Sequence, residues 1–395
     1  MSFNSVERKA LSGLALLYAT RMLGLFMVLP VLSLYGLTLE GASAKTLGFA
    51  LGVYGITQAI LQIPFGAASD RFGRKPLIIL GLVIFFLGSA IAALSDNVYG
   101  LIIGRALQGA GAISSVVLAL LADYTREQER SKAMAVVGAV IGASFVLAVV
   151  LGPLIAGVAG LSGLFWFTSG LAFLGLLIVL WLPAVPAIQI HEERKFKLSQ
   201  ITDVLKNKEV LILSSGVFLL HMTMTALFVA LPVMLVARGF QADQLGQIYA
   251  PVMILSFLGM APMMMFSERK LAHLFYLRMA AGFIVGALLL IGYINHGGMT
   301  AIALFVFFVG FNFIEATLPS LLSRKADISV RGTSMGVFST SQFLGAAIGG
   351  IAGGLLFEST SIMGIVVLGV LMQVIWAALL LVVKPLQKPV LDTQE

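Results

Sequence analysis

The chain has 395 residues, of which 59% are hydrophobic and 11% charged, and a formal net charge of +7. A mean hydropathy of +1.03 excludes a water-soluble domain of this size, whose surface would need far more polar side chains. With no cysteine and four scattered histidines, neither a disulfide framework nor a thiolate metal site or nucleophile can be built, and the short basic clusters between apolar runs argue against a nucleic-acid surface.

In chain order, the basic amino end Met1 to Ala10 leads into an apolar stretch that lacks an A-x-A cleavage site and is longer than the core of a signal peptide, so it reads as a retained first helix. Twelve runs reach the length of about 20 residues that a helix needs to cross the hydrocarbon. They cover 10–35, 47–69, 76–94, 98–122, 133–158, 162–183, 209–236, 244–266, 272–294, 299–322, 333–357 and 361–383.

Lysine and arginine set the expected orientation. Arg8, Lys9, Arg71, Arg74, Lys75, Arg126, Arg130 and Lys132 share one side with the basic residues of 194–208, with Arg269, Lys270, Arg324, Lys325 and Arg331, and with Lys384 and Lys388. The opposite connections carry little beyond Lys45 and Arg238, which makes both termini cytoplasmic. The expected division is an amino-terminal bundle of six spans over 1–183, a charged loop over 184–208, a second bundle over 209–384 and a short cytoplasmic tail over 385–395. An offset of about 200 residues aligns the halves, as expected of internal repeats. Phe26 to Leu32 faces Phe228 to Met234, Pro64 to Arg71 faces Pro262 to Arg269, Arg130 to Val137 faces Arg331 to Phe338, and Leu151 to Ile155 faces Ala352 to Leu356.

Between spans two and three lies the hydrophilic elbow GAASDRFGRKP, Gly66 to Pro76. It fits G-x-x-x-D-R-x-G-R-[RK] at Gly66, Asp70, Arg71, Gly73, Arg74 and Lys75, and span four adds R-x-x-Q-G at Arg105 and Gln108. Span five ends in GASFVLAVVLGPLIAG, Gly142 to Gly157, and span one carries RMLGLFMVLPVL, Arg21 to Leu32. With twelve spans split six and six, these motifs resemble the major facilitator superfamily, in particular its drug/proton antiporter branch and within that the YajR-type members. The resemblance implies an all-α membrane protein of two pseudo-symmetric six-helix bundles. It also implies a transporter rather than an enzyme, with no cofactor. A non-transporting membrane sensor or scaffold is the second alternative; it is expected to need a soluble output module, and the dozen residues after Val383 are not expected to form one.

Gly66 is expected to remove a side chain where two helices approach. Asp70, Arg74 and Asp123 are expected to form a charge cluster that latches the inner gate in the outward-open state and breaks when the halves rock. The plainer alternative is that these charges only hold a loop in the cytoplasm, which would account for Arg71 and Lys75.

Ionisable residues inside the membrane are costly enough to count as functional candidates. Here they are Arg21 and His221, roughly 17 and 18 Å into spans one and seven, with Arg105 in span four and Glu315 in span ten. Spans one, four, seven and ten line the central cavity in the superfamily. Glu315 is the carboxylate deep in an apolar span and the first candidate for proton coupling. The alternative is a structural carboxylate paired with Arg21 or Arg105. Asn312 is placed to hydrogen-bond it, and His221 either relays protons or bonds a neighbouring helix. Arg105 with Gln108 either modulates the proton site or fixes backbone carbonyls of its own half. Arg21 has only Met222 or Thr223 opposite it in the second half.

Phe26, Met27, Tyr54, Gln58, Met222, Met224, Phe228 and Met253 are candidate cavity residues, together with Gln108 and Asn312. Gly142, Gly152, Pro153, Gly345, Gly349 and Gly353 are expected at a flexible interface between the halves. No P-loop is present, so the energy must come from an ion gradient. The expectation is a monomeric proton antiporter of the inner membrane, in contact with lipid, protons and a small hydrophobic or amphipathic cargo. The alternative on the same fold is a proton symporter for a nutrient or an organic anion.

Overall fold

The computed structural model describes residues 3–183, 198–327 and 330–385. Those residues are helical apart from connections and one isolated bridge, Glu40 to Asn97. The first half comprises α1 (Ser5–Phe26), α2 (Leu32–Tyr35), α3 (Ala44–Phe72), α4 (Arg74–Leu94), α5 (Val98–Ala110), α6 (Ser114–Tyr124) and α7 (Glu127–Trp181). A short helix α8 (Leu198–Lys206) precedes α9 (Lys208–Ala237), α10 (Leu245–Arg269), α11 (His273–Tyr293), α12 (Gly297–Lys325) and α13 (Arg331–Leu379). Most of the loop 184–208 and of the tail 385–395 lies outside the described residues.

Local chemistry sets where the helices begin. Asn4 and Glu7 close a capping box at α1, and the side chains of Ser43, Asn97 and Asn207 accept from the first turns of α3, α5 and α9. Nine helical stretches among the described residues are long and apolar enough to cross a membrane. Two of them each hold two spans, because α7 bends at Gly160 (φ 66°) and α13 at Ser361 (φ 59°). The first span, α1, lies outside that set because Lys9 and Arg21 lower its apolar content. Twelve spans result, in two six-helix halves.

Two spans are discontinuous where the sequence predicts unbroken runs. Span one leaves helical geometry after Phe26 and resumes at Leu32. Span four breaks between α5 and α6, around Gly111. Its counterpart α12 is continuous, so the repeat is not symmetric at this point.

The halves meet at one end only, the end away from the chain start. There α3 and α13 pack backbone to backbone. A Cβ at Gly52 would lie 2.5 Å from the Ala347 carbonyl, one at Gly55 would lie 2.6 Å from that of Phe343, and Gly48 abuts Gly350 and Gly354. On the other flank, a Cβ on Gly246 of α10 would sit 2.8 Å from the Val150 carbonyl of α7. The Lys45 amide, in the first turn of α3, donates to Glu358 across the seam at 2.9 Å, and Ser33 donates to the Phe228 carbonyl at 3.3 Å. Toward the chain-start end the neighbours fall away. A Cβ at Gly138, Gly332 or Gly336 would meet nothing within 4 Å.

This seam corrects the expected glycine interface. Gly152 packs on the Met27 carbonyl inside the first half, with Pro153 beside it in α7. Gly345, Gly349 and Gly353 pack on Phe218, Met222 and Ala226 of α9 inside the second half. Gly142 alone of these faces the other half, where a Cβ would lie 3.6 Å from the Phe257 ring of α10. The elbow glycines also divide. Gly66 meets nothing closer than Ser115 Oγ at 3.6 Å, so no tight approach demands it, whereas Gly73 has φ 93°, a left-handed geometry that glycine adopts at little cost.

Candidate functional site

In the first half, the break in span four is fastened by α1. Arg21 Nη2 donates to the Gly111 carbonyl at 2.5 Å and to Gln58 Oε1 at 3.2 Å, while its guanidinium lies 4.2 Å from the centre of the Phe85 ring. Tyr18, one turn earlier, donates to the Ser114 carbonyl at 2.6 Å. Carbonyls freed by a helix break in the membrane need such donors. This explains why Arg21 has no counterpart in the second half, where α12 is unbroken. Replacing Arg21 with methionine removes the charged donor from the Gly111 carbonyl, which keeps the Ile113 amide at 2.9 Å, and from Gln58 Oε1, at a cost of about 1–3 kcal/mol. A lower unfolding temperature in detergent is the expected result, and an unchanged one contradicts the staple.

Arg105 is also internal. Its Nη1 donates to Gln108 Oε1 at 2.7 Å, its Nε reaches the Ala50 carbonyl at 3.4 Å, and its guanidinium stacks 4.6 Å from the Tyr54 ring centre. Gln108 in turn donates to Ser89 at 2.8 Å. Of the two roles expected for Arg105, bonding backbone carbonyls of its own half is the one seen. Neither arginine contacts Glu315, which removes the permanent ion pair from consideration.

In the second half, α9, α12 and α13 converge on one carboxylate. Gln342 Nε2 donates to Glu315 Oε1 at 2.9 Å and lies 2.9 Å from His221 Nε2. His221 Nδ1 is 3.2 Å from the Val217 carbonyl and 3.8 Å from Glu315 Oε2, an oxygen that has no hydrogen-bond partner. The Gln342 amide thus bridges the Glu315 carboxylate and the His221 imidazole.

Glu315 sits one turn from Phe311 on the same face of α12. Phe311 stacks on Phe145 of α7 with ring centres 6.2 Å apart, and Phe145 packs edge-on to Phe26 at 4.9 Å. These rings, with Phe308, close the space between the halves on the seam side. Glu315 lies on the other, open side, and its side chain is 35% exposed. It is therefore half-buried beside the opening rather than sealed from it, a correction to a carboxylate hidden in an apolar span. Asn312 does not reach it and donates instead to Ser256 at 2.9 Å.

Most of the predicted cavity residues are buried in helix packing. Met27, Tyr54, Gln58, Gln108, Met222, Met224, Phe228 and Met253 are buried, and only Phe26 is partly open, at the aromatic layer. Gln342, Phe145 and Phe311 are the site residues that sequence reasoning missed. The polar run Ser339 to Gln342 inside an apolar span was the available signal for the first.

At the chain-start end, the elbow cluster forms as expected in composition. Arg74 contacts Asp70 at 2.5 Å, Asp123 at 3.2 Å and Ser69 Oγ at 2.6 Å. It does not behave as the expected latch, because it is intact although the halves are apart at this end, and all its members belong to one half. Lys75 has a structural partner too, the Leu182 carbonyl at 2.7 Å, and Arg71 lies over the Phe72 ring. The second half inverts the arrangement. Glu268 lies between Arg324, at 3.1 Å, and His273, at 3.2 Å.

Glu7 accepts from Arg126 Nε at 2.8 Å and Nη2 at 2.9 Å. The Arg126 side chain holds this carboxyl down at about 2, against an ordinary 4.5. A depressed folded value contributes stability that is present above the ordinary value and lost as pH falls from about 4.5 toward 2. The stability difference between wild type and Glu7→Gln is expected to shrink across that window in detergent unfolding measurements. A difference that stays constant contradicts the assignment.

Two pseudo-symmetric helical halves around a polar mid-membrane site, joined at one end and parted at the other, define a secondary membrane transporter. The Major Facilitator Superfamily model matches residues 14–350, and the chain belongs to that family; it is a transporter, not an enzyme. It is 43% identical to the inner membrane transport protein YajR of Escherichia coli (strain K12), over 94% of this chain and 82% of that one. It is 27% identical to the multidrug resistance protein MdtH of Yersinia pestis (strain Pestoides F), over 86% and 84%. Its fold is similar to that of a bacterial homologue of the human lysosomal transporter Spinster, described as inward-facing and occupied. That likeness has a TM-score of 0.76 at 14% identity and covers 96% of this chain and 97% of that one.

Proposed function

We propose that this protein is a proton-coupled antiporter that exports small hydrophobic or amphipathic compounds by alternating access, as a monomer in the inner membrane with both termini in the cytoplasm. The observation that carries the reading is Glu315, the carboxylate that faces the opening between the halves with His221 and Gln342 around it. With the basic chain-start end in the cytoplasm, the open side is the cytoplasmic one and the arrangement is inward-facing.

The chemistry follows from that placement. In the inward-facing form the carboxylate has released its proton toward the cytoplasm, and Gln342 holds it by a hydrogen bond. Cargo then enters beneath the aromatic layer, where Phe145 and Phe311 offer apolar, polarisable surface. Rocking about the seam turns the site outward, cargo leaves, and Glu315 takes a proton from outside before the return. The resemblance to MdtH, a multidrug resistance protein by name, supports the cargo class. For the alternative of organic-anion symport, Arg105 and Nη2 of Arg21 bond carbonyls and amides of their own half, while Nε and Nη1 of Arg21 have no hydrogen-bond partner.

Flux direction tests this reading. Purified protein in liposomes with an acidic lumen is expected to accumulate a hydrophobic cationic dye against its gradient. Dye or nutrient movement in the same direction as the protons identifies a symporter instead.

A further inference from the structure

The seam between the halves ends at the level of the transport site. In α13, Gly350 and Gly354 meet Gly48 of α3, the Ala347 carbonyl meets Gly52, and the Phe343 carbonyl meets Gly55, where an added Cβ would lie 2.6 Å away. About two turns nearer the chain-start end, a Cβ at Gly336 would meet nothing within 4 Å. Gln342 directly precedes Phe343 and so marks the point where the halves part.

A glutamine inside an apolar span must spend its amide on polar partners. Its Nε2 lies 2.9 Å from Glu315 Oε1 of α12 and 2.9 Å from His221 Nε2 of α9. Among the described residues it is the one side chain that hydrogen-bonds Glu315, whose Oε2 has no such partner. The His221 ring is held in turn by the Val217 carbonyl, 3.2 Å from Nδ1, and packs 5.7 Å from the Phe311 ring, which stacks on Phe145 of the first half. One amide therefore ties the carboxylate to the helix that carries the seam and, through His221, to the aromatic layer. The strength of that tie depends on the proton, because a hydrogen bond to an ionised carboxylate is roughly twice as strong as one to a neutral group.

The exchange proposed above needs a response of this kind. A carrier that turns with neither proton nor cargo lets its carboxylate collect a proton outside, bring it inward and dissipate the gradient. We propose that Gln342 is a positioning residue that brakes the turn of this empty form, by fixing the ionised Glu315 to α13 where the seam ends. Opening the seam pulls on α13 and strains the bond. A proton on Glu315 weakens the bond, cargo seated against the carboxylate competes for it, and either event frees the halves to rock. The brake rests on the proton-exchange reading, but it assigns Gln342 a task that coupling through Glu315 does not require.

The test is proton leak through the full-length protein in liposomes with an imposed pH gradient and no cargo. The wild type is expected to hold the gradient. Gln342→Met keeps the side-chain length without the donor and is expected to leak about tenfold faster, the loss of one hydrogen bond to a charged group. The leak should vanish in Gln342→Met combined with Glu315→Gln, which has no group to carry the proton. A purely structural role predicts a lower unfolding temperature and slower transport, and no leak that depends on Glu315. Gln342→Asn, whose amide is one methylene short of the bridge, is expected to leak likewise and carries the test if the methionine variant does not fold. Folded variants that hold the gradient as the wild type does, or a leak that survives Glu315→Gln, overturn the proposal. The underlying reading fails separately, by cargo accumulation in Glu315→Gln alone at the wild-type rate.

Discussion

Replacing Glu315 with glutamine is expected to abolish proton-driven accumulation of cargo while leaving the protein folded and able to bind. Glutamine keeps the volume and can still meet Gln342, so the packing among α9, α12 and α13 survives. What it removes is the group that can exist with and without a proton on the open side of the aromatic layer. Energy-coupled transport in liposomes should fall at least about a hundredfold, the scale on which catalysis by a positioned acid or base operates. Downhill movement of cargo through an uncoupled cycle can persist. Accumulation at the wild-type rate removes Glu315 from the coupling role.

Placing a valine at Gly52 is expected to have the second-largest effect, by a different route. Its Cβ would lie 2.5 Å from the Ala347 carbonyl and 2.7 Å from Ile351, so α3 and α13 cannot close as they do here. Overpacking of this kind costs about 1–3 kcal/mol, which falls on the form closed at this end and shifts the population away from it by about fivefold or more. The chain has no cysteine of its own, so a Lys45→Cys, Glu358→Cys pair reports closure directly. Its crosslinking yield should drop sharply in the Gly52→Val background, and transport with it. Gly66→Ala is the control. Its new methyl group meets only Ser115 Oγ at 3.6 Å, so it should transport normally although Gly66 lies in the motif and Gly52 does not.

That contrast shows how far the sequence could be read. Span number, the six-six division and the family were legible because hydrophobic length and motif spacing are local properties. Which surface a glycine stripe faces is not local. In α13 the stripe Gly345, Gly349, Gly353 is indeed a close-approach face, but toward α9, while Gly350 and Gly354, one residue further round the helix, meet α3 across the seam. The sequence marks a helix as closely approached and does not say by which neighbour.

The buried charges divide in the same way. Glu315 and His221 stood out because a polar group in an apolar span is expensive, but their meeting through Gln342 depends on how three helices are rotated. Arg21 was conspicuous for lacking a symmetric partner, yet its role depends on a break in span four that its apolar run does not announce. The elbow charges were found as a cluster and misread as a latch, since residues that lie in one half cannot record the separation of two.

Cargo-triggered proton release is the most direct test of the exchange proposed for Glu315. Purified protein in weakly buffered detergent is titrated with a hydrophobic cationic cargo while the pH is recorded. The wild-type protein is expected to release protons in step with binding, and Glu315→Gln to bind the same cargo and release none. Equal proton release from the two proteins contradicts the account.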